Sequence, residues 1–459
     1  MKPMINEMRI RCLFGTDGVR DVANRGLMTP EMVLRLGRAF VLFLIERGCP
    51  KPHIAVGRDT RRSGVMLESA LVSGLTSAGA EVIDLGVLPT PALSHSIKRL
   101  GCAGGAMVSA SHNPPEYNGI KFLNSHGFKL RDEEEAEIEE YLGDSLNDEW
   151  RPTGAAIGNI QSDPAAWEIY VRWLADAIGD GGGHSDRKIL VDCANGAATA
   201  PATSLFAKLG YKADFIGAEP DGMNINEHSG VMHLGSLSEG VKSGGYHLGI
   251  AFDGDADRML CVDGKGRPLD GDILLWVIAR WLKTRDLLGS GVVATVMSNL
   301  ALEDHLKPLG IPVHRCPVGD RYVLDKMRET GSRLGGEQSG HIILDEFVST
   351  GDGLCTALAF LKACRELSEN IDSLVDRFSR YPQILKNVPV QQKEVVMEDP
   401  GLWTVIGEVE RSLGDSGRVL VRPSGTEPMI RVLVQTKDPA ALERSAVRIV
   451  EAIVQAGHN

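Results

Sequence analysis

A strand–helix–strand pattern that occurs three times is the feature that most constrains how this chain can fold. Apolar runs of strand character alternate with stretches of helical periodicity, which is typical of an α/β fold with mostly parallel or mixed sheets. The predicted strands, three to a block, are 53–59, 81–86 and 105–110; 188–192, 213–216 and 248–252; and 292–297, 311–316 and 333–335.

The last strand of each block runs into an unusually polar loop. The three loops read SASHNP (109–114), DGDADR (253–258) and GGEQSGH (335–341). In open α/β sheets, ligands bind beyond the carboxyl ends of the strands. We therefore expect the three loops to meet at one cleft.

The chain is long enough for several domains, and its pattern changes after about residue 372. At 459 residues it exceeds what one hydrophobic core usually organises. The tail 387–437 reads as strands with a helix at 405–413, and 440–455 reads as an amphipathic helix. We predict three α/β domains and a C-terminal α+β domain, at 1–155, 156–257, 258–372 and 373–459.

Charge and cysteine usage narrow the classes of function. The formal net charge of −12 argues against a protein that binds a nucleic-acid backbone. The eight cysteines are scattered without a C-x-x-C pair, so neither a zinc ribbon nor a redox dithiol is expected. The N-terminus has no signal-peptide core, and the apolar run 39–45 is too short to cross a membrane. These features predict a cytoplasmic protein with reduced thiols and no membrane or nucleic-acid partner.

The sharpest local signal is the run Asp253-Gly-Asp255-Ala-Asp257-Arg258, which follows an apolar strand. Three carboxylates separated by small residues can surround one hard cation, and they leave Mg²⁺ with open positions for a phosphate oxygen. An EF-hand is excluded because its sixth and twelfth positions would be Arg258 and Gly264. The alternative interpretation is a solvated acidic turn.

Ser111 lies in the SASHNP loop, directly after a predicted strand. The sequence has no G-x-S-x-G motif, so this serine is not an obvious nucleophile for acyl transfer. A serine beside a metal site can instead carry a phosphoryl group. A helix cap is the alternative interpretation of the same motif.

Two loops have the residue types that bind phosphates and sugars. The segment RPSGTEPMIR (422–431) offers two guanidinium groups, two hydroxyls and a glycine that exposes backbone N–H groups. The loop 335–341 offers a carboxylate and a hydroxyl suited to vicinal sugar hydroxyls. Either loop could equally be a structural turn. Walker A, G-x-G-x-x-G and H-E-x-x-H motifs do not occur in the sequence.

Taken in order, the loops SASHNP, DGDADR, GEQSGH and R-x-SGTEP resemble those of the α-D-phosphohexomutase superfamily. The resemblance extends from residue 12 to beyond 431, and SGTEP rather than SNTTP favours the phosphoglucosamine mutase branch. Three places depart from the pattern of the family. Asp21 stands where the family usually has glycine, the segment 115–117 replaces commoner residues, and Ala256 stands where that branch often has glycine. None of these changes removes a reacting group. Further matching motifs are FGTDGVR (14–20), DCANG (192–196), PDGMNINE (220–227), VGDRYV (318–323) and TGDG (350–353).

The resemblance implies four domains around a central cleft and the interconversion of glucosamine 6-phosphate and glucosamine 1-phosphate, which feeds UDP-N-acetylglucosamine synthesis. A phosphorylated Ser111 would give its phosphoryl group to the sugar, and a bisphosphorylated intermediate would return the other one. The implied cofactor is Mg²⁺ and the implied partner is a small sugar phosphate. At the level of the family, a homodimer is expected.

The resemblance also implies roles for individual residues. Lys121 or His341 would act as the acid/base, and the sequence does not decide between them. The other implied site residues are the metal ligands Ser111, Asp253, Asp255 and Asp257; Arg20 and Arg258, which assist transfer; Glu337 and Ser339, which hold sugar hydroxyls; and Arg422, Ser424, Gly425, Thr426 and Arg431, which hold the phosphate that is not transferred.

Three rival functions fit parts of the pattern. A phosphomannomutase/phosphoglucomutase would use the same chemistry on a different sugar. A phosphomonoesterase would pass the phosphoryl group to water, but the second phosphate loop at 422–431 favours a mutase. A sugar-phosphate sensor needs no nucleophile, and Ser111 beside three aspartates argues against it.

Overall fold

The computed structural model describes residues 13–15, 17–147, 149–179, 187–348, 350–424 and 428–457. One unit contains the chain up to Thr295 together with His314–Val375, and a second unit contains Val296–Val313 and the chain from Asp376 onward. The segment 296–313 was expected in the third domain, and the four domain boundaries stay a prediction. Within the described part of the chain, no helix is long and apolar enough to cross a membrane.

The first unit holds three mixed sheets. The first sheet comprises β1 (Val19–Val22), β2 (His53–Arg58), β3 (Glu81–Val87), β4 (Gly104–Val108), β5 (Tyr117–Asn124) and β6 (Ile160–Ser162). The second comprises β7 (Ile189–Asp192), β8 (Ala213–Ile216), β9 (Leu248–Phe252), β10 (Met259–Asp263) and β11 (Pro268–Leu269). The third comprises β12 (Val292–Thr295), β13 (Val313–Cys316), β14 (Leu334–Gly336) and β15 (Ile342–Leu344).

The strand orders are β1-β5-β4-β2-β3-β6, β11-β10-β9-β7-β8 and β13-β12-β14-β15. The α/β crossovers produce parallel pairs, such as β2 with β4, β7 with β9, and β12 with β14. The C-terminal sheet differs, because its strands β16 (Gln383–Pro389), β17 (Gly417–Pro423) and β18 (Met429–Thr436) are all antiparallel, in the order β16-β18-β17. The expectation of three mixed α/β sheets followed by an α+β module is confirmed.

The α-helices of the described residues connect and cover these sheets. They are α1 (Pro30–Glu46), α2 (Gly64–Ser77), α3 (Thr90–Leu100), α4 (Asp132–Asp144), α5 (Ala166–Ala177), α6 (Thr199–Lys208), α7 (Leu234–Gly244), α8 (Gly271–Thr284), α9 (Ala301–Leu306), α10 (Asp320–Thr330), α11 (Gly353–Glu366), α12 (Ile371–Arg377), α13 (Lys393–Glu398), α14 (Pro400–Leu413) and α15 (Pro439–Ala456). Helix α14 begins before the predicted residue 405, because the Asp399 side chain caps its first turn with a 2.8 Å hydrogen bond.

Helix α1 shows how local signals build the elements that carry the site. The Thr29 side chain accepts a backbone hydrogen bond of 3.4 Å, and Pro30 takes the first helical position, where its missing N–H costs nothing. Its apolar face is buried, and Phe40 stacks on Phe122 with ring centroids 4.2 Å apart. This packing holds strand β5, which carries Lys121.

Each polar loop joins two antiparallel strands. The loops after β4, β9 and β14 lead directly into β5, β10 and β15, which pair back onto the strands before them. The sequence pattern predicted the first strand of each pair but not the returning strand. Each loop is therefore the tip of a hairpin, held on both sides by the ladder of a sheet.

Candidate active site

The three polar loops meet in the first unit, where Ser111 Oγ donates to Asp253 Oδ2 at 2.6 Å and backbone hydrogen bonds join the acidic loop to its other neighbours. The N–H of Thr90, at the start of α3, donates to the carbonyl of Asp255 at 3.0 Å. The N–H of Met259 donates to the carbonyl of Gly340 at 3.1 Å, and the N–H of Gly353 donates to that of Ala256 at 3.0 Å. The expectation that these loops converge is confirmed by this network.

The acidic loop places three carboxylates around one point. One oxygen from each of Asp253, Asp255 and Asp257 lies within 4.8 Å of the others, and all three residues are buried. Asp255 Oδ1 and Asp257 Oδ1 have no hydrogen-bond partner among the described residues. Buried carboxylate oxygens are costly without a partner, so this donor set fits a hard divalent cation and is not a solvated turn.

The backbone of the acidic loop is tightly constrained. Ala256 has φ 55°, in the left-handed region where glycine is favoured, so alanine takes a backbone conformation here that costs glycine less. At Gly254 a β-carbon would lie 2.5 Å from the carbonyl oxygen of Ser111. The acidic loop and the serine loop therefore touch backbone to backbone at this point.

Ser111 is fully buried against the acidic loop. Its Oγ donates a 2.6 Å hydrogen bond to Asp253 Oδ2, and its backbone N–H donates to Ser109 Oγ at 2.9 Å. The residue has φ 51°, in the left-handed region. The next element along the chain is strand β5, so the interpretation of Ser111 as a helix cap is wrong.

Two lysines neutralise the carboxylates, Lys121, which is buried, and Lys129, which is partly buried. Lys121 Nζ, on β5, lies 2.8 Å from Asp255 Oδ2, 3.0 Å from Asp17 Oδ2 and 3.7 Å from Asp257 Oδ2. Lys129 Nζ lies 2.6 Å from Asp17 Oδ1, and it also pairs with Asp320 at the start of α10. Burial opposes the charge of each lysine, but these carboxylates raise the pKa of both amines.

The carboxylates of the triad are not equivalent. Burial raises the pKa of Asp253 well above its ordinary value, and repulsion from Asp257 and Asp255 adds to this. Burial acts in the same direction on Asp257, but attraction to Lys121 and His341 outweighs it and holds that pKa well below its ordinary value. Opposite shifts within one cluster are typical of functional sites.

His341 joins the loop 335–341 to this cluster. Its Nδ1 lies 3.6 Å from Asp257 Oδ2 and its Nε2 lies 3.7 Å from Asp320 Oδ2. Burial opposes protonation of the ring, but these two carboxylates raise its pKa. A β-carbon at Gly351 would lie 2.2 Å from the ring, so glycine is required for the ring to occupy this place.

The two predicted arginines flank the cluster. Arg20, on β1, pairs with Asp17. The N–H of Arg258 donates to Asp253 Oδ1 at 3.1 Å, and Arg258 Nε lies 3.9 Å from Asp257 Oδ1. Burial would lower the pKa of Arg258, but Asp257 and Asp253 raise it, so the guanidinium stays charged.

The third polar loop holds Glu337 and Ser339. Glu337 is buried, and its Oε1 accepts a 3.2 Å hydrogen bond from the N–H of Gly319. Ser339 is half-buried. Both residues are in the same loop as His341, and Glu337 is close enough to Arg258 to raise the pKa of its guanidinium.

The predicted phosphate loop lies in the second unit. Arg422 and Arg431 are direct partners across strands β17 and β18, and Arg431 Nη2 lies 3.5 Å from Ser424 Oγ. Burial lowers the pKa of Arg422, and the charge of Arg431 lowers it further, as expected for two guanidinium groups side by side. Gly425 and Thr426 lie outside the described residues. The structure thus groups three of the five predicted residues at the tip of a hairpin.

Three charged residues of the cluster were not among the predicted site residues. Asp17 and Asp320 lie within FGTDGVR and VGDRYV, two of the quoted motifs, so a signal for them was present. Lys129 belongs to no motif. The chain turns back after β5 and forms a bridge between Lys129 and Leu123, and only this fold brings its amine to Asp17.

Sequence models of one family match most of the chain. They are described as phosphoglucomutase/phosphomannomutase alpha/beta/alpha domains I, II and III and a C-terminal domain, at residues 11–147, 174–266, 270–381 and 385–452. The chain belongs to the phosphoglucomutase/phosphomannomutase family. The resemblance to the α-D-phosphohexomutases is thereby confirmed, and with it the assignment to an enzyme class of isomerases.

Similar curated proteins cover almost the whole chain. A phosphoglucosamine mutase of Oceanobacillus iheyensis is 45% identical over 443 residues, 96% of this chain and 98% of that protein. A phosphoglucosamine mutase of Desulforamulus reducens is 46% identical over 442 residues, 96% of this chain and 99% of that protein. The branch favoured by the SGTEP motif is the branch these relatives belong to.

Solved structures share the fold. A phosphoglucomutase/phosphomannomutase family protein from Burkholderia thailandensis has a TM-score of 0.81 and 25% identity, covering 97% of each chain. An N-acetylphosphoglucosamine mutase from Aspergillus fumigatus, solved with GlcNAc-6P and magnesium, has a TM-score of 0.67 and 18% identity, covering 97% of this chain and 96% of its own. The second likeness is a likeness of fold alone.

Proposed function

We propose that this protein is a phosphoglucosamine mutase that interconverts glucosamine 6-phosphate and glucosamine 1-phosphate. The observation that carries the proposal is the buried contact of 2.6 Å between Ser111 Oγ and Asp253 Oδ2, at the centre of an acidic triad. The relatives that are 45–46% identical over 96% of the chain support the sugar. The cytoplasmic location and the homodimer stay predictions.

The acidic triad is suited to Mg²⁺. Asp253, Asp255 and Asp257 would hold the ion together with an oxygen on Ser111, and the two partnerless buried oxygens of Asp255 and Asp257 support this choice. When bound, the ion supplies positive charge that offsets the charge of the transferring phosphoryl group. Lys121 and Arg258 add positive charge at the same place.

The phosphoryl group moves between Ser111 and the sugar. The free hydroxyl oxygen of the sugar monophosphate attacks the phosphorus on Ser111, the bond from phosphorus to Oγ breaks, and the hydroxyl proton passes to a base. The product is a sugar bisphosphate. Ser111 Oγ then attacks the phosphorus of the other phosphoryl group, the bond from that phosphorus to its sugar oxygen breaks, and the base returns its proton to that oxygen. Positioning and electrostatics dominate such a loose transition state, which suits a rigid, charge-lined site.

His341 is the better candidate for the proton transfer. Its Nε2 is buried and makes no hydrogen bond to a described residue, whereas the amine of Lys121 is held by Asp255 and Asp17 at 2.8 and 3.0 Å. A group that exchanges a proton with substrate needs an atom available to it. Lys121 then acts as a fixed positive charge.

We propose that the hairpin tip in the second unit binds the phosphate that is not transferred. Glu337 and Ser339 hold ring hydroxyls in this proposal, with Arg20 assisting the transfer. Support comes from the paired guanidinium groups of Arg422 and Arg431, an arrangement suited to a dianion. Gly425 and Thr426 complete the proposed loop.

Replacing Arg422 or Arg431 by alanine is expected to raise KM about tenfold to a hundredfold, because a charge-assisted contact contributes about 1.5–3 kcal/mol. A fall in kcat follows if the remote phosphate orients the reacting hydroxyl. Steady-state kinetics with glucosamine 6-phosphate measure both effects. Arg444→Ala, on the exposed face of α15, is the matched control. Unchanged kinetics in both loop variants would show that the loop is a structural turn.

A panel of hexose phosphates tests the sugar. We expect kcat/KM for glucosamine phosphate to exceed that for glucose and mannose phosphates by at least about tenfold, since one well-placed charged contact contributes that much discrimination. The purified protein with Mg²⁺ and equal amounts of each sugar phosphate provides the measurement. Equal or faster turnover of mannose 1-phosphate would assign the protein to the phosphomannomutase side. Release of inorganic phosphate as fast as the sugar phosphate is consumed would indicate a phosphatase.

A further inference from the structure

Arg61 is a buried arginine beneath the serine loop that the mechanism above does not use. Its side chain has no exposed surface. The guanidinium donates to the carbonyl oxygens of Ser111 at 3.0 Å, Asn113 at 2.7 Å and Tyr117 at 3.0 Å, and also to that of Pro114. One planar guanidinium group therefore donates to four carbonyls of the segment 111–117, which begins with the nucleophile.

A second connection runs from Arg61 to the N–H of Ser111. Arg61 Nε donates to Asp59 Oδ2 at 3.0 Å, and the same oxygen accepts a 2.6 Å hydrogen bond from Ser109 Oγ. Ser109 Oγ in turn accepts the N–H of Ser111 at 2.9 Å. Both polar backbone atoms of Ser111 are thus tied to Arg61, one directly and one through two side chains.

The backbone of Ser111 needs such support. Its φ of 51° lies in the left-handed region, which costs a residue with a β-carbon about 1–2 kcal/mol and persists only where the surroundings impose it. Asn226 is the other support, because its Nδ2 donates to the carbonyls of Ser111 and Asn113 at 2.8 and 3.0 Å. Arg61 and Asn226 hold the same two carbonyls from two sides.

We propose that Arg61 is a positioning residue for phosphoryl transfer, an inference that rests on the proposed function. Arg61 holds the backbone of Ser111 in its left-handed conformation, and this directs Oγ at Asp253. The guanidinium makes no contact with Oγ itself, so it acts through the loop. Lysine cannot replace it, because one ammonium group cannot span four carbonyls as a planar fork does.

The first test compares Arg61→Met and Arg61→Lys with the wild-type protein. We expect kcat to fall about a hundredfold in both variants, since a displacement of about 1 Å at a reacting group has that cost. KM should change by less than about threefold, because Arg61 does not contact the sugar. Arg62→Met is the matched control, since Arg62 is the exposed neighbour, and it should keep the wild-type kcat.

The second test measures the transfer step alone. Unphosphorylated protein is mixed with glucosamine 1,6-bisphosphate, and the phosphate on Ser111 is followed by intact mass over time. Ser111 Oγ bonds to one phosphorus of the sugar, the bond from that phosphorus to the sugar oxygen breaks, and the serine proton passes through the base to that oxygen, which leaves glucosamine monophosphate. We expect this rate to fall in the Arg61 variants by the same factor as kcat. A variant that is only less stable would show a smaller final fraction of phosphorylated protein, but its folded molecules would be phosphorylated at the wild-type rate.

Asn226→Leu keeps the test decisive if Arg61→Met does not fold. It removes the other donor to the same carbonyls, so a slower transfer rate with little change in KM is expected there too. Wild-type rates in folded Arg61→Lys or in folded Arg61→Met would overturn the proposal. If the wild type takes its phosphoryl group from another hexose bisphosphate and not from glucosamine 1,6-bisphosphate, the sugar in the proposed function is wrong. The ratio of variant to wild-type rates, measured with that other sugar, still decides the role of Arg61.

Discussion

Replacement of Ser111 by alanine is expected to reduce mutase turnover about a thousandfold or more, because the variant has no oxygen to carry the phosphoryl group. The variant should fold, since alanine keeps the β-carbon and loses only the hydrogen bonds of Oγ to Asp253 Oδ2 and His112 Nδ1. Turnover with glucosamine 6-phosphate and thermal unfolding measure the two properties on one sample.

The wild-type protein provides the complementary result. Peptide mass spectra of active protein should place one phosphate on Ser111, and the alanine variant should lack it. Ser125→Ala is the matched control, because Ser125 is exposed on the turn after β5. An alanine variant at position 111 with the wild-type rate would remove the serine from the mechanism.

Chelation of divalent cations is expected to abolish turnover, and added Mg²⁺ should restore it. Asp255→Asn should be folded but slower by about a hundredfold or more, because it loses the charge that holds the ion while retaining the shape of the loop. The independent readout is thermal unfolding: Mg²⁺ should raise the Tm of the wild type, since an ion that binds only the folded state stabilises it. This rise should be absent in Asp255→Asn.

Asp176→Asn controls for the change of net charge, because Asp176 is exposed on α5, outside the acidic triad. It should keep both the turnover and the Mg²⁺-dependent Tm of the wild type. Full turnover in excess chelator would exclude a metal from the reaction. A Tm that responds to Mg²⁺ equally in Asp255→Asn would place the ion elsewhere.

Sequence pattern predicted the strands that lead into the site but not those that leave it. Strands β4, β9 and β14 were expected because each is an apolar run that closes a block in which strands alternate with helical stretches. The returning strands β5, β10 and β15 were not, because a strand that follows a polar loop directly has no such flanking signal. The order of pairing within a sheet depends on long-range contacts that no local window contains.

The same limit applies to the side chains of the site. The alternation of carboxylates with small residues identified the acidic loop, because one turn of chain provides all of its ligands. The charges that balance it come from distant segments, and Lys129 approaches Asp17 only after the chain has folded back on β5. Arg61 lies in a polar run after strand β2, so the sequence does contain a signal for it. The prediction of the site used only the polar loops after the last strand of each block, and strand β2 is the first strand of its block.

The contact at Gly254 has a consequence for how such a protein can diversify. Because the acidic loop meets the carbonyl of Ser111 with no room for a β-carbon, main-chain packing helps to fix the separation between the nucleophile and the carboxylates. Glu337 and Ser339 lie on a different hairpin tip, so their replacement leaves that separation intact. With the sugar held by these two residues, as proposed above, a lineage with this construction can exchange one sugar for another by substitutions in a few side chains while inheriting the transfer machinery unchanged.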